Sequence, residues 1–334
     1  MQDHDRYPHR MNWLRNAAEP WVKYRSMIDL CGISPTSVEA INVWDEVKTH
    51  PLIVRLFEDL DAWEEKCVNS HKSASNPYHK LSFLADVGFD DEDPRIQRIL
   101  QTIKKHKNNE GIFELPMTIS IAKNEPSKKV FSWGLCDAPV VLHSVAKLER
   151  TITKETKTAM DRLISLSKEN GWPCVVSEEY GKFRGPGRKD DPCPYATLVM
   201  LKMMSISPMM ASSMEASRGV DCLLGLWEES QDRHPYMFYM GTDFRKLKAP
   251  LIWYDLLHVV DVLSHFKQAL DDDRYQRMVR LLIEKADEEG LYTCESIWKA
   301  WESWDFGQKS IPSSWVTFLV ERIKKQSQKE GNPL

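Results

Sequence analysis

CPYATLVMLKMM, residues 193–204, is apolar on nearly every side of a helical wheel. A helix of that kind must be enclosed, whereas one that is apolar along a single stripe faces solvent with its other side. Four more segments of the enclosed kind occur: YHKLSFLADVG from Tyr78, CDAPVVLHSVAKL from Cys136, IWYDLLHVVDVL from Ile252 and SSWVTFLVERI from Ser313. The five starts are spaced by 57 to 61 residues, and self-similarity at a fixed period marks a repeat architecture. Between them lie PRIQRILQTIKKHKNNEG, AMDRLISLSKENG, SRGVDCLLGLWEE and YQRMVRLLIEKADEEG, which carry one apolar stripe each, and three of them run into the glycine that stops a helix.

No stretch keeps the period-2 alternation of a strand, so the pattern predicts an all-α protein. An open solenoid wets its concave face and has no use for uniformly apolar inner helices. Closure follows: an α/α toroid, about five helical hairpins of roughly 58 residues over 69–330, each with one enclosed and one exposed helix. Residues 1–68 read as an N-terminal helical extension packed on the ring of a single domain, with WVKYRSMIDL and TSVEAINVWDEVKTHPLIVRLFEDLDAW as its helices.

The 334 residues carry 45 Lys+Arg against 49 Asp+Glu, a net charge of -4, and so offer no general positive field for nucleic acid. The longest apolar stretch, 249–266, is broken by Asp255, His258 and Asp261, which argues against a membrane span. MQDHDRYPHR reads as neither a secretory signal nor an anchor. Seven cysteines without a CxxC pair point to a reduced, cytoplasmic setting. Twelve Trp, eleven Phe, ten Tyr and fourteen Met must line either a generous core or an apolar cavity.

Three loop-to-helix junctions hold the reactive residues. In GKFRGPGRKDDPCPYATL, 181–198, Asp191 and Pro192 fit a helix N-cap and first position, which puts Cys193 in the first turn. There the helix dipole, Arg188 and Lys189 favour its thiolate. Arg184, Arg188 and Lys189 form a cationic rim suited to phosphate oxygens, or a solvated loop. In GTDFRKLKAPLIWYDLLHVVDVLSHF, 241–266, Tyr254, Asp255, His258, Asp261 and His265 share about a third of the helical circumference. Such a polar stripe on an enclosed helix predicts a cavity wall, and Arg245, Lys246 and Lys248 repeat the cationic rim. In FSWGLCDAPVVLHSV, 131–145, Cys136 and Asp137 stand at the matching helix start, where Asp137 fits a cap. His71 and His79 enter the first enclosed helix in the same way, able to add an acid, a base or nothing. The candidate catalytic groups are Asp255, Tyr254, His79 and Asp137.

The repeated hairpins, the Asp191-Pro192-Cys193 sequence and a His in the next enclosed helix together resemble the α/α-toroid superfamily. That superfamily holds the catalytic β subunits of protein prenyltransferases and the squalene and terpenoid cyclases. The resemblance implies zinc held by Asp191, Cys193 and His258, the last following Cys193 by 65 residues. It further implies a diphosphate bound by Arg188 and Arg184, and a substrate chain lying against Trp253, Tyr254, Trp133, Tyr195 and Trp315. Three protein ligands would leave zinc an open, catalytic position; addition of Cys136 or Cys174 would make it structural. Two features differ from the prenyltransferases: Leu257 stands where they carry Tyr, and clear Gly-Gly-Phe runs are missing.

The leading expectation is thus a zinc-dependent enzyme acting on a prenyl diphosphate or another apolar, anion-tagged substrate, with a protein or peptide partner in the prenyltransferase manner. The alternatives are a metal-free terpenoid cyclase-like enzyme that protonates its substrate from an Asp, and a non-catalytic toroid that binds a ligand or peptide.

Overall fold

The computed structural model describes residues 3–119, 127–180, 191–232 and 243–329. In chain order the helices are α1 (Asp3–Arg15), α2 (Pro20–Arg25), α3 (Val38–Thr49), α4 (Pro51–Asp61), α5 (Pro77–Val87), α6 (Pro94–Lys105), α7 (Ala138–Leu148) and α8 (Lys154–Ile164). They continue with α9 (Pro194–Met204), α10 (Pro208–Ala211), α11 (Met214–Glu228), α12 (Leu256–Leu263), α13 (Lys267–Leu270), α14 (Asp273–Ile283) and α15 (Ser314–Lys329). The protein is all-α apart from one antiparallel ribbon, β1 (Leu115–Ile119) against β2 (Lys128–Ser132), with Leu115 opposite Ser132. Pro116 and the polar, irregular KKVFS give this ribbon no alternating signature in the sequence.

The two helix kinds are found where the periodicity puts them. Every residue of α9 and α12 is buried, and α5 and α7 each leave only one residue partly open, Asp86 and Lys147. Those two exceptions pair with each other at 2.7 Å, and Asp86 also lies 3.7 Å from Lys202 of α9. Pairing is what makes a charge tolerable inside. The amphipathic helices bury one stripe at i, i+3, i+4 and i+7: Ile96, Ile99, Leu100 and Ile103 in α6; Thr156, Ala159, Met160 and Leu163 in α8; Tyr275, Met278, Val279 and Leu282 in α14. Each large apolar side chain so buried contributes roughly 1.5–3 kcal/mol.

Two compact units result. One contains Phe57–Gly241, where α5 packs on α7, α7 on α9 and α9 on α11, with α8 against both α7 and α9. Gly219 of α11 meets Trp172 so closely that a Cβ would lie 2.7 Å from the indole, so this helix crossing requires glycine. The other unit contains Met1–Leu56 and Thr242–Leu334. In it α12 packs on α14 and α15, and the N-terminal helices lie against α15. Arg10 pairs with Glu321 at 3.1 Å, and the Lys325 ammonium donates to the carbonyls of Asp29 and Leu30 at 2.7 and 2.8 Å. Where the sequence suggests one long helix over 36–63 there are two. Pro51 forces His50 into an extended conformation (ψ 132°), and the chain restarts as α4.

Among the described residues no helix is long and apolar enough to cross a membrane.

Candidate functional site at the heads of the enclosed helices

In the Phe57–Gly241 unit the heads of α5, α7 and α9 meet, because equivalent helices of a hairpin repeat open at the same end. Asp137 and Cys136, at the head of α7, both raise the phenols of Tyr78 on α5 and Tyr195 on α9, each already pushed up by complete burial. The period that sets the repeat therefore also gathers its reactive residues.

Asp137 is fully buried and stands at the N-cap of α7, yet its side chain makes no cap hydrogen bond. Its oxygens turn back to accept the Gly134 N–H at 3.1 and 3.2 Å. Gly134 is held by a short antiparallel pairing in which Leu135 N–H donates to Val175 and Ser177 N–H donates to Trp133, both at 2.9 Å. Burial pushes the Asp137 carboxyl up to about 8, against the downward pull of the Gly134 and Ala138 N–H groups. His71 brings Nδ1 to 3.3 Å from Asp137 Oδ2, without the alignment of a hydrogen bond. Burial pushes its imidazole down to about 4. Separation of charge in a low-dielectric site is costly, so between those values the two groups face each other as a carboxylic acid and a neutral imidazole.

The loop that carries His71 is tied in place. Asn76 donates to the Ser70 carbonyl at 2.9 Å, and the Tyr78 hydroxyl donates to the His71 carbonyl at 3.3 Å. His79, a candidate catalytic group from the sequence, approaches that same carbonyl through Nε2 at 3.5 Å and lies against the Tyr78 ring, so it supports the loop. Tyr180 approaches from the chain after the pairing, its phenol raised by burial and by Asp137. The charge of Asp137 thus acts on the phenols of Tyr78, Tyr180 and Tyr195.

The thiols are placed differently from the sequence expectation. Asp191 and Pro192 do not start α9. Pro194 holds Cys193 in an extended conformation, and Cys193 itself becomes the N-cap, its Sγ accepting the Ala196 N–H at 3.4 Å. Its thiol stands in hydrogen-bonding contact with those of Cys136 and Cys174; the Cys136 contact and burial push it up, against the downward pull of Cys174 and the Ala196 N–H. Arg184, Arg188 and Lys189 lie outside the described residues.

In the other unit, Asp255 is the N-cap of α12 and accepts the His258 N–H at 3.0 Å. Burial holds its carboxyl well above the usual carboxylate range. His258 donates Nδ1–H to the Trp253 carbonyl at 2.8 Å, which leaves Nε2 as the lone-pair nitrogen of the neutral ring. The stripe read as a cavity wall is largely spent on packing: Asp261 pairs with Arg322 at 2.7 Å and His265 bonds Gln326 at 2.9 Å, both across to α15. Partners on a neighbouring helix satisfy these two groups. Tyr254 stacks on Phe244 with ring centres 5.3 Å apart. Of the second cationic rim, Lys248 is half-buried with its ammonium 3.2 Å from the Trp298 ring centre, and burial lowers its pKa. Lys246 offers its carbonyl to Leu256 N–H, and Arg245 stands beside it, half-buried.

Among the described residues no three His, Cys, Asp or Glu side chains are grouped so as to hold a metal ion. Sequence reasoning singled out Asp137 and Cys193 and named Cys136 and Cys174 as able to join Cys193, but did not find the pairing of Asp137 with His71 or the role of Gly134. The usable signal was the repeat register, which aligns Tyr78, Cys136 and Cys193 at successive helix heads. No family model matches the chain, and the search of curated proteins found no match.

Proposed function

We propose that the protein is an α/α-toroid enzyme of the terpenoid cyclase-like kind, in which Asp137 delivers a proton to an apolar, isoprenoid-type substrate. One observation carries this reading: a fully buried carboxyl pushed up to about 8, 3.3 Å from a neutral imidazole and within electrostatic reach of three tyrosines. Asp137 gives up its proton to a substrate double bond and becomes a carboxylate, which the Gly134 N–H then stabilises. Tyr78, Tyr180 and Tyr195, near enough to Asp137 to feel its charge, supply the aromatic groups that would stabilise positive charge developing on carbon. His71, with 20% of its side chain exposed, connects the acid to solvent for the next proton.

The test is incubation of the protein with squalene in the presence of a chelator, followed by mass spectrometry of the products. Cyclised product is expected, with Asp137→Asn slowing its formation on the order of 10²- to 10⁴-fold. Wild-type turnover by Asp137→Asn rejects the acid assignment, and so does an infrared spectrum without a carboxylic-acid band that titrates near 8 and vanishes in that variant.

A further inference from the structure

Three of the seven cysteines converge on one place, and backbone hydrogen bonds bring them there. Gly134 stands opposite Val176 in an isolated antiparallel bridge, and Leu135 N–H donates to the Val175 carbonyl at 2.9 Å, which joins the segment that carries Cys136 to the one that carries Cys174. Cys193 joins them through its own N–H, which donates to the Trp172 carbonyl at 2.7 Å, two residues before Cys174. Both thiol–thiol contacts run through Cys193: one to Cys136, one to Cys174. Elsewhere the pattern differs, for burial, not a neighbouring sulfur, pushes the Cys222 and Cys294 thiols up to about 12.

Exposure divides the labour. Cys136 and Cys174 are half-exposed, whereas Cys193 is 2% exposed. An oxidant therefore meets one of the outer thiols first.

We infer that Cys136, Cys174 and Cys193 form a peroxide-sensitive thiol site in which Cys193 closes a disulfide with one of the two outer cysteines. Hydrogen peroxide transfers one oxygen to the outer thiol; the O–O bond breaks, a sulfenic acid forms and one water leaves. The Cys193 sulfur then attacks that sulfur and displaces the hydroxyl as a second water. The two thiol protons end in the two waters, the sulfurs lose two electrons, and the peroxide gains them. The third thiol stays beside the new bond, placed to exchange with it. Because burial and contact keep the Cys193 and Cys174 thiols protonated, formation accelerates as pH rises. The inference stands on the backbone hydrogen bonds that join three segments and on the thiol contacts of Cys193, and does not rest on the acid chemistry of Asp137.

The test uses the full-length chain with Cys31→Ser, which removes the one exposed thiol and its cross-links between molecules. The protein is treated with hydrogen peroxide, unfolded, alkylated, digested and mapped by mass spectrometry. Two alkylatable thiols are expected to disappear, with a linked peptide pair that contains Cys193, and dithiothreitol restores both. Cys193→Ser abolishes the link and stays folded, since a serine oxygen serves the Ala196 N–H as an N-cap at least as well as sulfur. Cys174→Ser, altered at a half-exposed position, retains a link only between Cys193 and Cys136. The inference is overturned if all three thiols remain alkylatable, or if the link joins cysteines other than Cys193.

Discussion

Asp137 at the head of α7 and Asp255 at the head of α12 occupy equivalent places in the repeat, each fully buried one residue before an enclosed helix. Burial raises both carboxyls. Their neighbours set different uses. Asp255 turns into its own helix and caps it, and the polar groups that follow it are paired with α15. Asp137 turns away from its helix toward Gly134 and meets an imidazole. Both carboxyls are raised by burial, but one closes the first turn of its helix and the other accepts from the turn before it.

The largest effect expected from breaking this contrast lies on the structural side. Arg322→Ala leaves Asp261 buried without its cation and should cost on the order of 2–4 kcal/mol in chemical denaturation, the lower part of the buried-pair range because Arg322 is 21% exposed. A loss within experimental error would return the α12 stripe to the status of a cavity wall.

Next comes pH. The Asp137 carboxyl, with its ordinary value of 3.8 raised to about 8, favours the folded state fully at low pH, and that contribution is lost as pH rises to about 8. His71 acts oppositely, its contribution growing from about 4 up to 6.5 and flat above. From pH 6.5 to 8 the Asp137 slope is therefore unopposed by His71. Stability of the wild type relative to Asp137→Asn should fall there by about 1.4 kcal/mol per pH unit. Parallel curves for the two proteins would mean that the carboxyl is already ionised.

Smaller again is the cap itself. Asp255→Ala should cost about 1 kcal/mol in thermal or urea unfolding, and Asp255→Asn should recover most of it, because asparagine caps as well as aspartate. At position 137 asparagine should rescue no activity, since it carries no titratable proton. The least effect is expected from Gly134→Ala, whose Cβ would sit 3.3 Å from Asp137 Oδ2 and 3.7 Å from His71 Cε1. A shift of a few tenths of an ångström accommodates it, so the carboxylic-acid band should move while stability changes by only about 0.5 kcal/mol.

Much of the fold was legible before any coordinates. The five enclosed segments and the four amphipathic ones all appear as helices, since a 3.6-residue period and its stripe width are local properties. Less legible were features set by a single proline or by partners far away in the chain. Pro51 divides one long helical pattern, and Pro194 moves the start of α9 past Cys193; both are visible in sequence but ambiguous beside a second candidate start such as Pro192. The β1–β2 ribbon has no alternation to betray it. Spacing alone made both Asp255 and Asp137 catalytic candidates and also fitted Asp137 as a cap, whereas in the structure the cap hydrogen bond is made by Asp255 and not by Asp137.

The amino-acid order by itself determined which helices form and which of their faces leave water, because backbone hydrogen bonding and side-chain periodicity act over a few residues. Only tertiary structure decided which buried carboxyl caps its helix, which histidine faces the other and which thiols touch. Those outcomes depend on desolvation and on neighbours such as His71, Gly134 and Cys174, brought in from distant segments by the packing of α5, α7 and α9.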